Sequence, residues 1–196
     1  VIFFCIAVSL NSTAFIPSIV ADLGHSNAAA QALTGPIYIV AGVLGFVAAI
    51  LADRMGNRFT FAFFGAMLGI AELILLLNGH ILPPRIQYAA LYLFIGGFFM
   101  TVPSQVAWAS NNIGGHYKQG FCAAVQIGLG STGAFVPLMT FVPSDAPSYT
   151  RAFRICLSLT VLAAVVMILT EVGLWWENKQ RKAGKRDWGC NFQKMK

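Results

Sequence analysis

Long apolar runs alternate with short polar connections along the whole chain. Residues 33–52 carry no charge, and residues 59–78 carry only Glu72. Each run is about 20 residues, which as helix spans roughly 30 Å, the depth of a bilayer's hydrocarbon core. Four more runs repeat the pattern: residues 1–20, 88–107, 120–141 and 152–176. Together they predict an all-α integral membrane protein with six transmembrane helices, a domain covering residues 1–176. Pro17, Pro36, Pro103 and Pro137 fall inside these runs. That is tolerable in lipid, where neighbouring helices re-satisfy the backbone groups a proline frees.

The connections at residues 21–32, 78–87 and 143–151 are short, polar and rich in turn residues. None could fold as a separate binding or catalytic domain. Lysine and arginine set the orientation. With the connection at residues 51–58 inside, Arg54, Arg58, Lys118 and seven tail residues lie in the cytoplasm, against Arg85, Arg151 and Arg154 outside. Ten against three is a clear bias, and an even span count then puts both ends of the chain in the cytoplasm. Trp108, Trp175 and Trp176 fall at inner boundaries, as interfacial aromatics. The chain begins at Val1 within an apolar run, without methionine or a signal-peptide n-region, and reads as a piece of something longer.

Composition sharpens this picture. The chain is 57% hydrophobic and 10% charged, against about 25% charged in an ordinary soluble domain. Most of its net charge of +6 sits in residues 177–196, a basic cytoplasmic tail. No aromatic-basic fold accompanies that tail, so nucleic acid is not an expected partner; an anionic inner leaflet is. Cys5, Cys122, Cys156 and Cys190 show no metal-ligand spacing. No metal or cofactor is expected, and no enzyme, because no serine, histidine and carboxylate gather at one depth.

The densest polar feature is Leu51-Ala52-Asp53-Arg54-Met55-Gly56-Asn57-Arg58. Asp53 is placed to cap the end of one helix or the start of the next. Gly56 supplies a turn, and the two arginines can pair with carboxylates or helix ends. A cluster of this kind can latch and release a gate.

This octet resembles the loop motif that recurs after the second and eighth helices in the major facilitator superfamily, with Asn57 standing where the family usually has a basic residue. Residues 106–118 (Val-Ala-Trp-Ala-Ser-Asn-Asn-Ile-Gly-Gly-His-Tyr-Lys) and 123–130 (Ala-Ala-Val-Gln-Ile-Gly-Leu-Gly) resemble the tenth-to-eleventh helix region of fungal anion:cation symporters, which include allantoate, nicotinate and pantothenate permeases. Residues 17–24 and the Gln31-Ala-Leu-Thr pattern are similar to that subfamily's seventh helix and the loop after it. Ser131-Thr132 departs from the asparagine expected there. The resemblance implies the C-terminal six-helix half of a twelve-helix secondary transporter, whose partners are the lipid bilayer, a small organic anion or vitamin-like carboxylate, protons and a missing N-terminal half. It implies a plasma-membrane location and a gating role for Asp53, Arg54, Gly56 and Arg58. The competing class is a six-helix scaffold or a truncated pseudo-transporter.

Polar groups inside spans are the remaining candidates. Glu72 is the one ionisable residue deep in a run, where a charged carboxylate costs about 2.5–3.5 kcal/mol on insertion scales. It is either a proton-coupling group or a carboxyl that snorkels or pairs with a residue such as Arg85. Asn11, Gln105 and Gln126 either hydrogen-bond between helices or line a substrate path. Glu171 reads as a boundary residue paired with nearby lysines. His116, with Asn111, Asn112, Gly114 and Gly115, belongs to an inner hairpin turn. Gly42 with Gly45, Gly65 with Gly69, and Gly128, Gly130 and Gly133 predict close helix contact.

Overall fold

A computed structural model describes residues 1–22, 26–78, 83–142, 145 and 149–182. Among the described residues eight α-helices build six spans: α1 (Ile2–Asn11) and α2 (Ile16–Asp22) share the first, α3 (Asn27–Met55), α4 (Arg58–Leu77) and α5 (Pro84–Asn111) are the next three, α6 (His116–Ser131) and α7 (Phe135–Thr140) share the fifth, and α8 (Thr150–Lys182) is the last. All six are long and apolar enough to cross a membrane. His25, His80 and the tail beyond Lys182, with Cys190, lie outside the described residues.

Several helices begin earlier than hydropathy predicts. Asn27 to Ala32 form the first turns of α3 rather than a loop, because the Ser26 hydroxyl caps them by accepting from the Ala29 amide at 3.4 Å. In α5, Pro84 opens the helix at a position where a missing N–H costs nothing. At the other end, α8 continues past Trp176 to Lys182.

The two divided spans break for a common reason. Pro17 offers no N–H to the Thr13 carbonyl four residues back. The chain tightens into a 3₁₀ turn over Ser12–Phe15, where the Ile16 amide takes that carbonyl instead. The Tyr38 hydroxyl of α3 donates a second bond to it at 3.1 Å. Pro137 withholds a donor from Gly133 in the same way, and Thr132–Ala134 is again 3₁₀. Pro103 withholds one from Phe99, whose carbonyl lies against Gly45 of α3; a Cβ at Gly45 would stand 2.9 Å from that oxygen.

The core is a set of small-residue seams. Helix α4 buries Ala62, Gly65, Ala66, Gly69, Glu72, Leu73 and Leu76, a stripe at helical spacing. That stripe packs on α5, where Cβ atoms at Gly65, Gly69 and Gly97 would meet Gly97, Phe98 and Gly65 respectively. The first span is tied to α8 by Ser9 and Thr160 hydroxyls 2.8 Å apart and by Ser12 Oγ against Cys156 Sγ at 3.1 Å. Gly130 and Gly133 of the fifth span lie against Phe3, Phe4 and Val8 of α1.

Two expectations are corrected here. A Cβ at Gly42 or Gly128 would meet nothing within 4 Å, so among the described residues they are not contact glycines. Trp108 is no interfacial aromatic: it is 8% exposed and its ring packs on Phe59 at 5.6 Å. Trp175 and Trp176 do stand exposed.

Candidate functional site

The charged octet is the α3–α4 turn. Helix α3 ends at Met55, and Gly56 takes the left-handed conformation (φ 66°) that stops a helix at little steric penalty. The cap of α4 is Asn57, whose Oδ1 accepts the Thr60 amide at 3.3 Å. This corrects the expectation that Asp53 caps a helix, and it gives the unusual Asn57 a physical reason: asparagine accepts a capping bond that lysine or arginine cannot. Asp53 instead receives the Arg58 guanidinium at 2.6 Å across the turn. The pair is solvated, with Asp53 61% and Arg58 31% exposed.

Asp53, Gly56, Asn57 and Arg58 line a cavity of about 360 Å³ at this end of the bundle. Its other wall comes from Trp108, Asn111 and Asn112 at the end of α5 and from Glu171, Leu174, Trp175 and Asn178 of α8. Sequence reading placed most of these residues on one membrane face but did not group them. The available signal was topological, since the ends of the second, fourth and sixth spans must share a face. Glu171 was expected to pair with lysines; among the described residues it has no ion-pair partner, and it faces the cavity. Lys179 instead sits 5.3 Å from the Trp175 ring centre.

The polar residues inside spans separate into three places. Gln105 and Gln126 come together: Gln126 Nε2 donates to Gln105 Oε1 at 2.7 Å, joining α5 to α6. Gln105 is 2% exposed, while Gln126 is half-buried. Asn11 is half-buried in α1 and donates to the Ala7 carbonyl at 2.7 Å; its Oδ1 has no hydrogen-bond partner among the described residues. With Gly130 beside Phe3 and Gly133 beside Val8, Asn11 stands about 12 positions above the level of Gln126, or ~18 Å along the helix axis. The three therefore form two tiers along neighbouring helices, not one pocket.

Glu72 is elsewhere again. It is 1% exposed in the α4 stripe, and among the described residues neither carboxyl oxygen has a hydrogen-bond partner. It neither snorkels nor pairs with Arg85, so that alternative is corrected. The Ser104 hydroxyl of α5 is likewise buried without a partner. Among the described residues no three histidines, cysteines or carboxylates cluster to hold a metal.

The sequence profile of the Major Facilitator Superfamily matches residues 1–194. The high-affinity nicotinic acid transporter of Saccharomyces cerevisiae is 26% identical over 172 residues, which cover 87% of this chain and 32% of that protein. The MFS-type transporter cnsO of Penicillium expansum is 27% identical over 86% of this chain and 33% of its own. The uncharacterized transporter C11D3.18C of Schizosaccharomyces pombe is 25% identical over 86% and 34%. The chain thus spans about a third of the length of the curated relatives it matches. No solved structure matches.

Proposed function

The chain belongs to the Major Facilitator Superfamily, and from that premise we propose that its six spans are the C-terminal half of a secondary transporter for a small organic anion, coupled to protons. The observation that carries this reading is the combination of six spans with a match to only a third of each relative. The similarity to the yeast high-affinity nicotinic acid transporter supports a carboxylate substrate of nicotinate size. On this reading both ends of the chain and the Asp53–Arg58 turn are cytoplasmic, in the plasma membrane, and residues 177–196 form a tail distinct from the six-helix domain.

In the proposal Asp53, Arg54, Gly56 and Arg58 are the gate latch. Arg58 is engaged by Asp53, and Arg54 has no ion-pair partner among the described residues. Arg54 is therefore available to a second six-helix half in one gating state. Asn11, Gln105 and Gln126 line the substrate path at two depths. Glu72 carries the coupled proton; its carboxyl exchanges with water only when the packing of α4 opens. Transporters of this general design bind substrate at the interface between repeats, near the bilayer midplane. One half alone cannot enclose a substrate.

Cells expressing only these 196 residues should therefore take up labelled nicotinate at the background rate, while cells expressing the complete transporter take it up above background. Uptake by the 196 residues alone would refute the half-transporter reading and support a self-sufficient or self-pairing six-helix protein.

A further inference from the structure

Among the described residues two side chains hold buried polar atoms without a partner, Glu72 of α4 and Ser104 of α5. Both lie along the seam between these helices. Within it the Thr101 hydroxyl donates to the Ala62 carbonyl at 3.3 Å, a Cβ at Gly69 would meet the Phe98 ring, and the Phe59 and Trp108 rings pack 5.6 Å apart. The two helices therefore run antiparallel, and the seam has an order. It starts at the cavity beside the Asp53–Arg58 turn, where Trp108 forms part of the wall. From there α5 presents Ser104, then Thr101, then Phe98. These are three apart on one face, so neighbouring Cβ atoms stand about 5–6 Å from each other. Glu72 follows, seven residues beyond Gly65, or roughly 10 Å along the helix axis.

The polar groups of the seam lie on one side of Glu72. Beyond it come Leu73 and Leu76 of α4 and Ala90 and Leu91 of α5, all buried. Before it stand the two hydroxyls. Backbone geometry turns the groups toward each other. Cα–Cβ bonds tilt toward a helix's N-terminus, so the Glu72 stem starts toward the turn, while Thr101 and Ser104 start toward Glu72. The helices packed on α4 offer the carboxyl no charge at this depth. Helix α3 carries none before Asp53, α5 none after Arg85, and α8 none between Arg154 and Glu171. The weaker acids on these helices are engaged elsewhere. Tyr88 bonds to the Leu33 carbonyl and to Tyr92, Tyr38 to the Thr13 carbonyl, and Cys156 to Ser12.

We propose that Glu72 exchanges its proton with the side of the membrane that carries the Asp53–Arg58 turn, along the Ser104 and Thr101 hydroxyls and past the Phe98 ring. The inference rests on the reading of Glu72 as carrier of the coupled proton; on the proposed orientation this side is the cytoplasm. A hydroxyl accepts one hydrogen bond while donating another. Each therefore takes a proton from the cavity side, releases its own toward Glu72 and ends unchanged. Ser104 has its donor and its lone pairs free for this. Thr101 spends its donor on the Gly97 and Ala62 carbonyls and must turn from them to pass the proton on. Phe98 closes the last step, and its ring is the part of the α4 packing that has to move. Thr101 and Ser104 act here as positioning residues, and Glu72 holds the proton.

Infrared spectroscopy of the purified 196-residue chain in lipid, moved from light to heavy water, tests this. The carbonyl band of the protonated carboxyl is the one lost in Glu72→Gln. It shifts as deuterium replaces the proton, and the rate of that shift is the readout. Ser104→Ala and Thr101→Val should each slow it severalfold. Thr101→Ser, which keeps the hydroxyl, should hold the wild-type rate, and Phe98→Leu, which thins the plug, should speed it severalfold. Ser9→Ala removes a buried hydroxyl from the contact between the first span and α8 and should change nothing. Circular dichroism confirms that each variant is folded; Ser104→Ala deletes an unsatisfied buried group, so the fold loses no hydrogen bond with it. An unchanged rate in Ser104→Ala would overturn the route, as would an equal slowing in Ser9→Ala. If Glu72→Gln removes no such band, the reading of Glu72 as proton carrier fails instead, and the route falls with it.

Discussion

Helices α4 and α6 draw on the same materials, glycine and bulky apolar residues, and put them to different use. In α4, Gly65 is pressed against Gly97 and Thr101 of α5 so closely that no Cβ fits, and a Cβ at Gly69 would crowd the Phe98 ring at 3.1 Å. In α6, Gly120 and Gly128 meet nothing within 4 Å, and Phe121 and Leu129 stand 65% exposed beside them. Glycine spacing signals that two helices can approach, but it does not say whether the second helix belongs to the same chain. Where the partner is present, the spacing closes a seam. On α6 it leaves an uncovered apolar surface with small residues in it, which on the proposed reading a second six-helix half would cover.

The largest expected effect separates the two helices with one kind of substitution. In Gly65→Ala the new methyl would meet the Gly97 carbonyl at 2.6 Å and the Thr101 side chain. Overpacking of that kind costs typically 1–3 kcal/mol. In Gly128→Ala the methyl enters open space, and the helix gains up to about 1 kcal/mol from the better propensity of alanine. Thermal unfolding of the purified chain in detergent should therefore shift down for the first variant and stay level or rise for the second. A neutral Gly65→Ala would mean that the α4–α5 seam is looser than drawn.

Glu72 interrupts the closed seam and gives the next effect. Its two oxygens are buried without partners, and a buried unsatisfied polar group costs about 1–3 kcal/mol. Glu72→Leu should thus raise the unfolding temperature, while Glu72→Gln, which keeps a polar end, should change it little. If the carboxyl carries the coupled proton, both variants in a complete transporter should lose the dependence of uptake on the proton gradient. Destabilisation by Glu72→Leu would instead mark the carboxyl as a structural member of the seam.

Much of the fold was legible because a bilayer demands uninterrupted apolar length, and the six runs supply it. Helix starts were less legible. Ser26 and Pro84 extend α3 and α5 into polar sequence that hydropathy assigns to loops. The breaks at Ser12–Phe15 and Thr132–Ala134 follow from Pro17 and Pro137, each four residues after a carbonyl it cannot satisfy. That the Tyr38 hydroxyl would also take the Thr13 carbonyl depends on how α3 docks, which no local pattern encodes. The candidate site was legible residue by residue but not as a constellation. The octet, Glu171 and Asn178 are far apart in sequence and meet only because alternate span ends share a face. Asn11 and Gln126 looked equivalent by composition, and the register of α1 against α6 separates them by depth.

The smallest stability effect belongs to the Asp53–Arg58 pair, which lies in neither the closed seam nor the open face. Both side chains are solvated, Asp53 by 61%, and exposed ion pairs contribute roughly 0–1 kcal/mol after screening. Asn57 caps α4 without help from Asp53, so Asp53→Asn should leave the helix start, membrane insertion and unfolding temperature nearly unchanged. Its expected effect is on movement: in a complete transporter, removing the carboxylate frees Arg58 and should slow uptake severalfold while the amount of protein in the membrane holds constant. Uptake at the wild-type rate would return the turn to a purely topological role, with its arginines fixing the side of the membrane and Gly56 closing the corner.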